Sequence, residues 1–144
     1  KASVTVKDGN KILKEGMDYE LEWKWNTQPG QGIVTIIGIG SYSGYSKHYF
    51  IIVPAKAKIA NARNSFAGAI RIEAKKQEGV SGYQYAWRMK GKTWAKVSYN
   101  RNVRIVKNLK KGKTYQVKVR TYKKINGKNW YGKWSDVKSV KVKK

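Results

Sequence analysis

The sequence of 144 residues contains no cysteine and a single histidine, His48. Without cysteine there are no disulfide bonds, thiolate zinc ligands or cysteine nucleophiles, so stability must come from packing alone. A Ser-His-Asp triad would need His48, and the alternation around Tyr49 places this histidine on an exposed edge strand. We therefore do not expect triad chemistry.

Acidic residues are also scarce, since 8 Asp and Glu stand against 32 Lys and Arg, for a net charge of +24. Asp18, Glu20 and Glu22 are spaced two apart on one predicted strand face, where carboxylates point to solvent and do not converge for acid–base catalysis. A calcium site formed by these acids with Asp8 is a less favoured alternative, because they lack the loop and glycine pattern of an EF-hand. We predict no enzyme activity, no cofactor and no metal.

Long hydrophobic runs are missing as well. The most apolar stretches, residues 33–40 and 49–53, are much shorter than the roughly 20 residues that cross a bilayer, so we expect no membrane insertion. No signal segment opens the chain, which begins within a predicted strand around Val4. We expect a monomeric part of a longer polypeptide.

The positive charge is concentrated in the second part of the chain. Residues 1–53 hold 6 basic and 5 acidic residues, whereas residues 54–144 hold 26 basic and 3 acidic ones. This break lies beside Pro54, and changes of composition near proline are typical of domain boundaries. We predict a first domain over residues 1–53, a linker over 54–57 and a second domain over 58–144.

Apolar and polar residues alternate with period two between Gly, Asn and Asp turns, as Tyr19, Leu21 and Trp23 do, and no segment has a helical stripe. The pattern predicts an all-β fold of two tandem β-sandwiches, with about five strands in the first. For the second domain we predict seven strands near residues 58–62, 69–75, 83–89, 94–99, 103–107, 115–123 and 136–143. Residues 124–135 are predicted to form a loop.

The second domain resembles fibronectin type III domains over about residues 56–144. Leu109, Gly112 and Tyr115 match the Leu-x-x-Gly-x-x-Tyr signature of that family, and Tyr131-Gly132-Lys133-Trp134-Ser135 precedes the last predicted strand. The resemblance implies a sandwich of seven strands, with the third, sixth and seventh in one sheet. It also implies that Leu109 fills the core and that the Tyr115 hydroxyl bonds to upstream backbone.

One core position departs from the family pattern. Ala74 stands on the second strand where the family usually has a tryptophan, and uncompensated loss of such bulk costs about 3 to 5 kcal/mol. We expect Trp87, or another aromatic residue, to fill that volume.

The first domain is similar to small Ig-like repeats found in tandem on secreted surface proteins of Gram-positive gut bacteria. The resemblance covers residues 3–53 and is carried by the runs Leu13-Lys14-Glu15-Gly16-Met17-Asp18-Tyr19, Gly38-x-Gly40-x-Tyr42-x-Gly44 and Phe50-x-Ile52. It implies that the glycines near Gly40 form a family turn, and no helix follows that would make this segment a phosphate-binding loop. It also implies a secreted or cell-surface location.

The candidate ligand site lies on the second domain. Outward positions of its third, sixth and seventh predicted strands carry Gln84, Arg88, Gln116, Lys118, Arg120, Lys141 and Lys143. From this face we select Lys118, Arg120 and Lys141, and from the neighbouring predicted loop Lys128, Trp130 and Tyr131. Aromatic residues among cations can stack on sugars or bases while the cations bind acidic groups.

We assign Trp134 to packing, because its position belongs to the family's structural element. Trp94 and Tyr99 are weaker candidates for binding. An alternative hypothesis is that the lysines have no ligand, and only keep a β-rich surface soluble and prevent exposed sheet edges from pairing with other chains.

These features predict a non-catalytic spacer and adhesion module of a bacterial surface protein. Its expected partner is an anionic polymer such as a host or wall glycan, a teichoic acid or extracellular DNA, with nucleic acid bound only non-specifically. A protein-binding adhesin that recognises a host surface protein, and an accessory region of a larger secreted cell-wall hydrolase or protease, are the alternatives.

Overall fold

The computed structural model describes residues 3–143, which form β-strands and connecting turns without a helix. This confirms the predicted all-β fold class. The chain divides into two compact units, Lys1–Ile52 and Val53–Lys144, which are described separately. Within residues 3–143 no helix has the length and apolar character needed to cross a membrane.

The first unit contains a short hairpin and a three-stranded antiparallel sheet. Its strands are β1 (Lys7–Asp8), β2 (Lys11–Ile12), β3 (Tyr19–Lys24), β4 (Gly30–Gly38) and β5 (Tyr45–Ile52). The hairpin pairs β1 with β2, and the sheet order is β3-β4-β5. The strand expected around Val4 is absent, and Val6 takes part only by accepting a hydrogen bond from the Leu13 amide at 3.0 Å.

The core of the first unit is small and aromatic. Tyr19 is buried and Leu21 and Trp23 are half-buried, which confirms the alternation predicted along β3. Trp23 meets Phe50 edge-to-face, with ring centroids 5.6 Å apart. Gly32 lies directly under the Phe50 ring, where a Cβ atom would collide with it.

The second unit is a sandwich of two antiparallel sheets. Its strands are β6 (Ile59–Asn64), β7 (Ile70–Ala74), β8 (Gly82–Met89), β9 (Ala95–Tyr99), β10 (Val103–Val106), β11 (Thr114–Ile125), β12 (Lys128–Tyr131) and β13 (Lys138–Lys141). One sheet has the order β10-β7-β6, and the other has the order β12-β11-β8-β9, with β13 also paired to β11. The third, sixth and seventh predicted strands, now β8, β11 and β13, therefore share a sheet as expected.

Apolar side chains of both sheets fill the space between them. Along β11 the burial alternates regularly, with Val117 and Val119 fully buried and Lys118 and Arg120 partly exposed on the other face. Ile70 and Ile72 of β7 are fully buried in the same cluster. Each strand thus has one face in the core and one outside, as its period-two sequence requires.

The turn before β11 has the geometry that the fibronectin type III resemblance implies. Leu109 and Tyr115 are both buried, and the Tyr115 hydroxyl accepts a hydrogen bond from the Lys110 backbone amide at 3.1 Å. The predicted tyrosine corner is confirmed.

Tyr83 and Tyr85 of β8, with Tyr115 of β11, are the buried aromatic residues in the cluster that contains Ala74. Tyr85 is fully buried and Tyr83 nearly so, and their rings stack with centroids 6.4 Å apart. Trp87, which we expected to fill the space beside Ala74, is only half-buried against this cluster. Trp87 is therefore not the most deeply buried aromatic residue of this cluster.

The prediction of a loop over residues 124–135 was wrong in its first part. Strand β11 continues to Ile125, turns at Asn126 and Gly127, and returns as β12, so this unit has eight strands over its described residues rather than seven. Asn126 and Gly127 have φ values of 48° and 78°, and two consecutive left-handed residues form the tight turn that suits the twist of a hairpin. The Asn-Gly pair was the signal that this hairpin offered in the sequence.

Replacing Tyr115 with phenylalanine tests the tyrosine corner. Tyr115→Phe leaves the buried ring in place but removes the acceptor of the Lys110 amide, so we expect the free energy of unfolding to fall by about 1 to 2 kcal/mol. Denaturant unfolding measures this loss. Tyr99→Phe is the matched control, since the Tyr99 hydroxyl has no hydrogen-bond partner among residues 3–143, and an equal loss in both variants would contradict the assignment.

Candidate functional site

The candidate site is built on the outer face of the larger sheet of the second unit. In the register of β8 and β11, Arg88 pairs with Gln116, Ala86 with Lys118 and Gln84 with Arg120. Side chains of paired residues lie side by side on the same face. Two adjacent strands therefore bring three cations into a narrow strip.

Aromatic rings alternate with these cations to form a continuous row. The cation–aromatic row, as we call it, consists of Arg88, Trp94, Lys118, Trp134, Arg120 and Tyr131. Its successive distances from cation to ring centroid are 4.5, 4.3, 4.7, 4.5 and 3.8 Å. All lie within the range of about 6 Å in which a ring attracts a cation.

Glutamine side chains orient the two guanidinium groups. Arg88 Nε donates to Gln116 Oε1 and Arg120 Nε donates to Gln84 Oε1, both at 2.8 Å. Between these two arginine levels Ala86 points outward, yet it is fully buried, so the side chains above it cover the sheet closely. The row is an ordered layer on the sheet.

Trp134 reaches the row because the segment around it is bonded to β11. The Ser135 amide donates to the Val119 carbonyl at 2.8 Å, and the Ser135 hydroxyl accepts from the Val119 amide at 3.0 Å. The Gly132 amide donates to the Thr121 carbonyl at 2.9 Å, and a Cβ at this glycine would lie 2.5 Å from the Pro54 carbonyl oxygen. The Gly-x-Trp-Ser sequence thus closes the edge of β11 while its tryptophan extends over the face.

The positive charge of the face is not neutralised by carboxylates. The second unit has three acidic residues: Glu73 pairs with Arg71 at 2.5 Å on the opposite sheet, Asp136 pairs with Lys56 at 2.6 Å, and Glu78 follows β7. The described strands of the larger sheet carry none. The cations of the row therefore act on one another as like charges.

These surroundings lower the pKa values of two cations of the row. Partial burial lowers the pKa of Lys118, and the neighbouring positive charges of Lys96, Arg88 and Arg120 lower this pKa further. Burial also lowers the pKa of Arg120, while the nearby Tyr131 opposes that change. The positive charges of the row repel one another, and an added anion would relieve that repulsion.

The structure brings together three of the six predicted site residues. Lys118, Arg120 and Tyr131 are in the row. Trp130 pairs with Lys123 and Lys128 with Ile125, so both belong to the opposite face of the hairpin, where the Lys128 ammonium lies 4.6 Å from the Trp130 ring.

Lys141 is on the outer face, beyond the Arg88 end of the row, and is not part of the row. It pairs with Thr114, four residues along β11 from Lys118, which corresponds to about 14 Å. The site residues that the selection missed are Arg88, Trp94 and Trp134. The alternation in the sequence already placed Arg88 on the outward face of its strand. The positions of the two tryptophans could not be predicted in this way, because they depend on how the connecting segments fold onto the sheet.

Residues 3–52, the described part of the first unit, contain no comparable row of cations and aromatic rings. His48 is exposed, as expected, with its Nε2 atom 2.8 Å from the Ser46 hydroxyl. Asp18 accepts a hydrogen bond from the Lys14 amide at 2.8 Å, and Glu20 and Glu22 are exposed. Across residues 3–143 no group of three or more His, Cys, Asp or Glu side chains is arranged to hold a metal ion.

Comparison with known proteins identifies the fold. No family model and no curated protein matches the sequence. Among solved structures, a myokine matches with a TM-score of 0.54 and 15% identity over 63% of this chain and 99% of its own. The FN1–FN3 domains of chicken CNTN1 match with a TM-score of 0.52 and 16% identity over 81% of this chain and 44% of that chain. These likenesses show a β-sandwich fold of the fibronectin type III kind.

Removing a neighbouring charge tests the electrostatics of the row. Lys96→Gln deletes a nearby positive charge, so we expect the pKa of Lys118 to rise toward the ordinary lysine value, as measured by NMR titration of the lysine side chain. Because folding lowers this pKa, the unfolded chain holds the proton more tightly, and the free energy of unfolding should increase as pH rises from the folded pKa to the unfolded pKa. In Lys118→Gln the free energy of unfolding should not show this increase with pH. A Lys118 pKa that does not respond to Lys96→Gln would contradict the account.

Proposed function

We propose that this chain is a non-catalytic extracellular module pair of a bacterial surface protein, in which the first unit acts as a spacer and the second attaches to anionic polymers. One observation carries the proposal: the cation–aromatic row places Arg88, Lys118 and Arg120 side by side on a sheet face whose described strands have no carboxylate. A partner that supplies negative charge would offset their mutual repulsion.

Preorganisation makes this face better suited to binding than a set of mobile surface lysines. An exposed lysine or arginine loses about 0.5 to 1.5 kcal/mol of side-chain entropy when a ligand immobilises it. Here the rings of Trp94 and Trp134 and the amides of Gln84 and Gln116 hold the cations before a ligand arrives. Less of the interaction energy is therefore spent on ordering.

The extracellular role rests on the resemblance of the first unit to bacterial surface repeats and on the sandwich fold of the second. The FN1–FN3 domains of chicken CNTN1 are modules of this fold joined in one chain. A cysteine-free chain of β-modules fits such an array, and attachment to a wall or host polymer would use the basic unit.

A second candidate function is protein-binding adhesion by the first unit. Tyr45 and Tyr49 of β5 are 71% and 63% exposed, and β5 is an edge strand that pairs only with β4. Exposed aromatic side chains are common binding hot spots in protein interfaces. In that case loss of an aromatic ring would weaken binding more than loss of charge.

Binding of the whole chain to an array of sulfated, sialylated, teichoic and DNA probes at physiological salt tests the two candidates. We expect retention that falls steeply as sodium chloride is raised, because exposed charges are screened. Lys118→Glu should weaken binding at least about tenfold, since it reverses a charge within the row. Tyr45→Ala is the comparison variant in the first unit and should have no effect.

Circular dichroism and the melting temperature show whether each variant remains folded. Salt-insensitive retention, or retention that is lost in Tyr45→Ala but kept in Lys118→Glu, would contradict polyanion attachment and favour the protein-binding alternative. Absence of retention on every anionic probe would also contradict it.

A further inference from the structure

The tryptophan rings of the row are not free to stack on a ligand. Arg88 on β8 pairs with Gln116 on β11, two residues before Lys118 and four before Arg120. Along the strand direction the order of the cations is therefore Arg88, Lys118, Arg120. Trp94 contacts the first two cations and Trp134 contacts the last two. Each ring is therefore already in contact with two cations, and a sugar ring or a base would have to compete with them.

Some hydrogen-bond donors of the cations remain available. Arg88 Nη1 donates to the Lys92 carbonyl at 3.4 Å, but its Nη2 group has no hydrogen-bond partner among residues 3–143. Arg120 uses Nε for its bond to Gln84, and its terminal amino groups have no hydrogen-bond partner among residues 3–143. The Lys118 ammonium also has no hydrogen-bond partner in that part of the chain. Guanidinium edges and ammonium groups bind the oxygens of phosphate or sulfate through charge-assisted hydrogen bonds.

The strand fixes the spacing of these donors. Successive outward positions on β11 are about 7 Å apart, which separates Lys118 from Arg120 by one such interval. Arg88 lies one further interval along the sheet, but on the neighbouring strand β8, about 5 Å to the side. Lys141, beside Thr114, extends the same face beyond the Arg88 end. A single anion can meet only one or two of these groups, whereas a chain of anions can meet all of them.

From this geometry we infer that the row binds a linear polymer of phosphodiester or sulfate ester groups, which lies along β11 and is recognised by charge spacing rather than by stacking of its sugars or bases. This inference rests on the proposed function and makes it more specific. It excludes Lys128 and Trp130 from the binding surface, because both belong to the other face of the β11–β12 hairpin.

Salt-dependent binding of single-stranded oligothymidylates tests the inference on the full chain. For single strands the logarithm of the binding constant falls with the logarithm of salt concentration with a slope of about −0.7 per phosphate contact. Lys118→Gln should make this slope shallower by about 0.7 and weaken binding about fivefold at moderate salt. Lys128→Gln is the matched control, since it removes the same charge from a lysine that also lies against a tryptophan, and it should change neither quantity.

Further probes separate the sources of the anion and the role of stacking. Sulfated oligosaccharides of defined length should give the same ranking of variants, whereas inorganic phosphate and sulfate at equal charge concentration should not compete. Trp130→Ala should bind as tightly as the unaltered chain. If Lys118→Gln reduces the melting temperature so far that the protein is not folded, Arg88→Gln, which removes a charge at the end of the row, replaces it with the same expectation.

The outcomes distinguish the inference from the function on which it rests. Equal effects of Lys118→Gln and Lys128→Gln would overturn the inference and leave a diffuse electrostatic attachment. If Trp130→Ala weakened binding more than Lys118→Gln did, the inference would be overturned in favour of stacking on the tryptophan ring. If the unaltered chain bound neither oligothymidylate nor the sulfated oligosaccharide, the proposed function itself would fail.

Discussion

The packing of cations against aromatic rings over β8 and β11 is the interaction on which the outer half of the second unit depends. Each contact of this kind contributes about 0.5 to 2 kcal/mol, so five in succession are a substantial part of the stability of a small domain. They also explain local details of the sequence. Ala86 is small because side chains cover it, and Ser135 binds β11 so that Trp134 can reach over the sheet.

The row also shows how three of the 26 basic residues of the second unit are ordered without acidic partners. In most proteins carboxylates would pair with these arginines, but here the Gln84 and Gln116 amides accept the hydrogen bonds and the rings provide the electrostatic attraction. Neither partner carries a negative charge. The cations are therefore ordered without being neutralised, which leaves the face strongly positive toward an approaching anion.

Much of this architecture could be predicted from the sequence, because strand alternation and turn signals are local. The alternation of residues along β11 assigned Val117 and Val119 to the core and Lys118 and Arg120 to the outer face. The spacing of Leu109, Gly112 and Tyr115 predicted the tyrosine corner. Trp130 and Tyr131 could not be assigned to faces, because their sides depend on the hairpin at Asn126 and Gly127. A turn longer by one residue would have exchanged the two faces.

The partners of Lys118 were beyond the reach of sequence patterns for a different reason. Trp94 and Trp134 lie 24 and 16 residues from Lys118 in the chain, and they meet it only after two separate connections fold onto the sheet. Trp87 is only partly buried, whereas Tyr83, Tyr85 and Tyr115 are the aromatic residues buried in the cluster that contains Ala74. A pattern of residue types does not reveal which of several aromatic residues lies deepest in a core.

The central claim is that ordered, uncompensated cations on one sheet face form the ligand surface. The most direct measurement is an NMR titration of the labelled chain with a sulfated oligosaccharide, following backbone amides and the arginine Nε–Hε resonances. The account predicts shifts concentrated at Arg88, Lys118 and Arg120, with little change at Lys128, Trp130 or the β6–β7 sheet. Shifts spread evenly over basic residues of both sheets, or centred on Trp130, would contradict it.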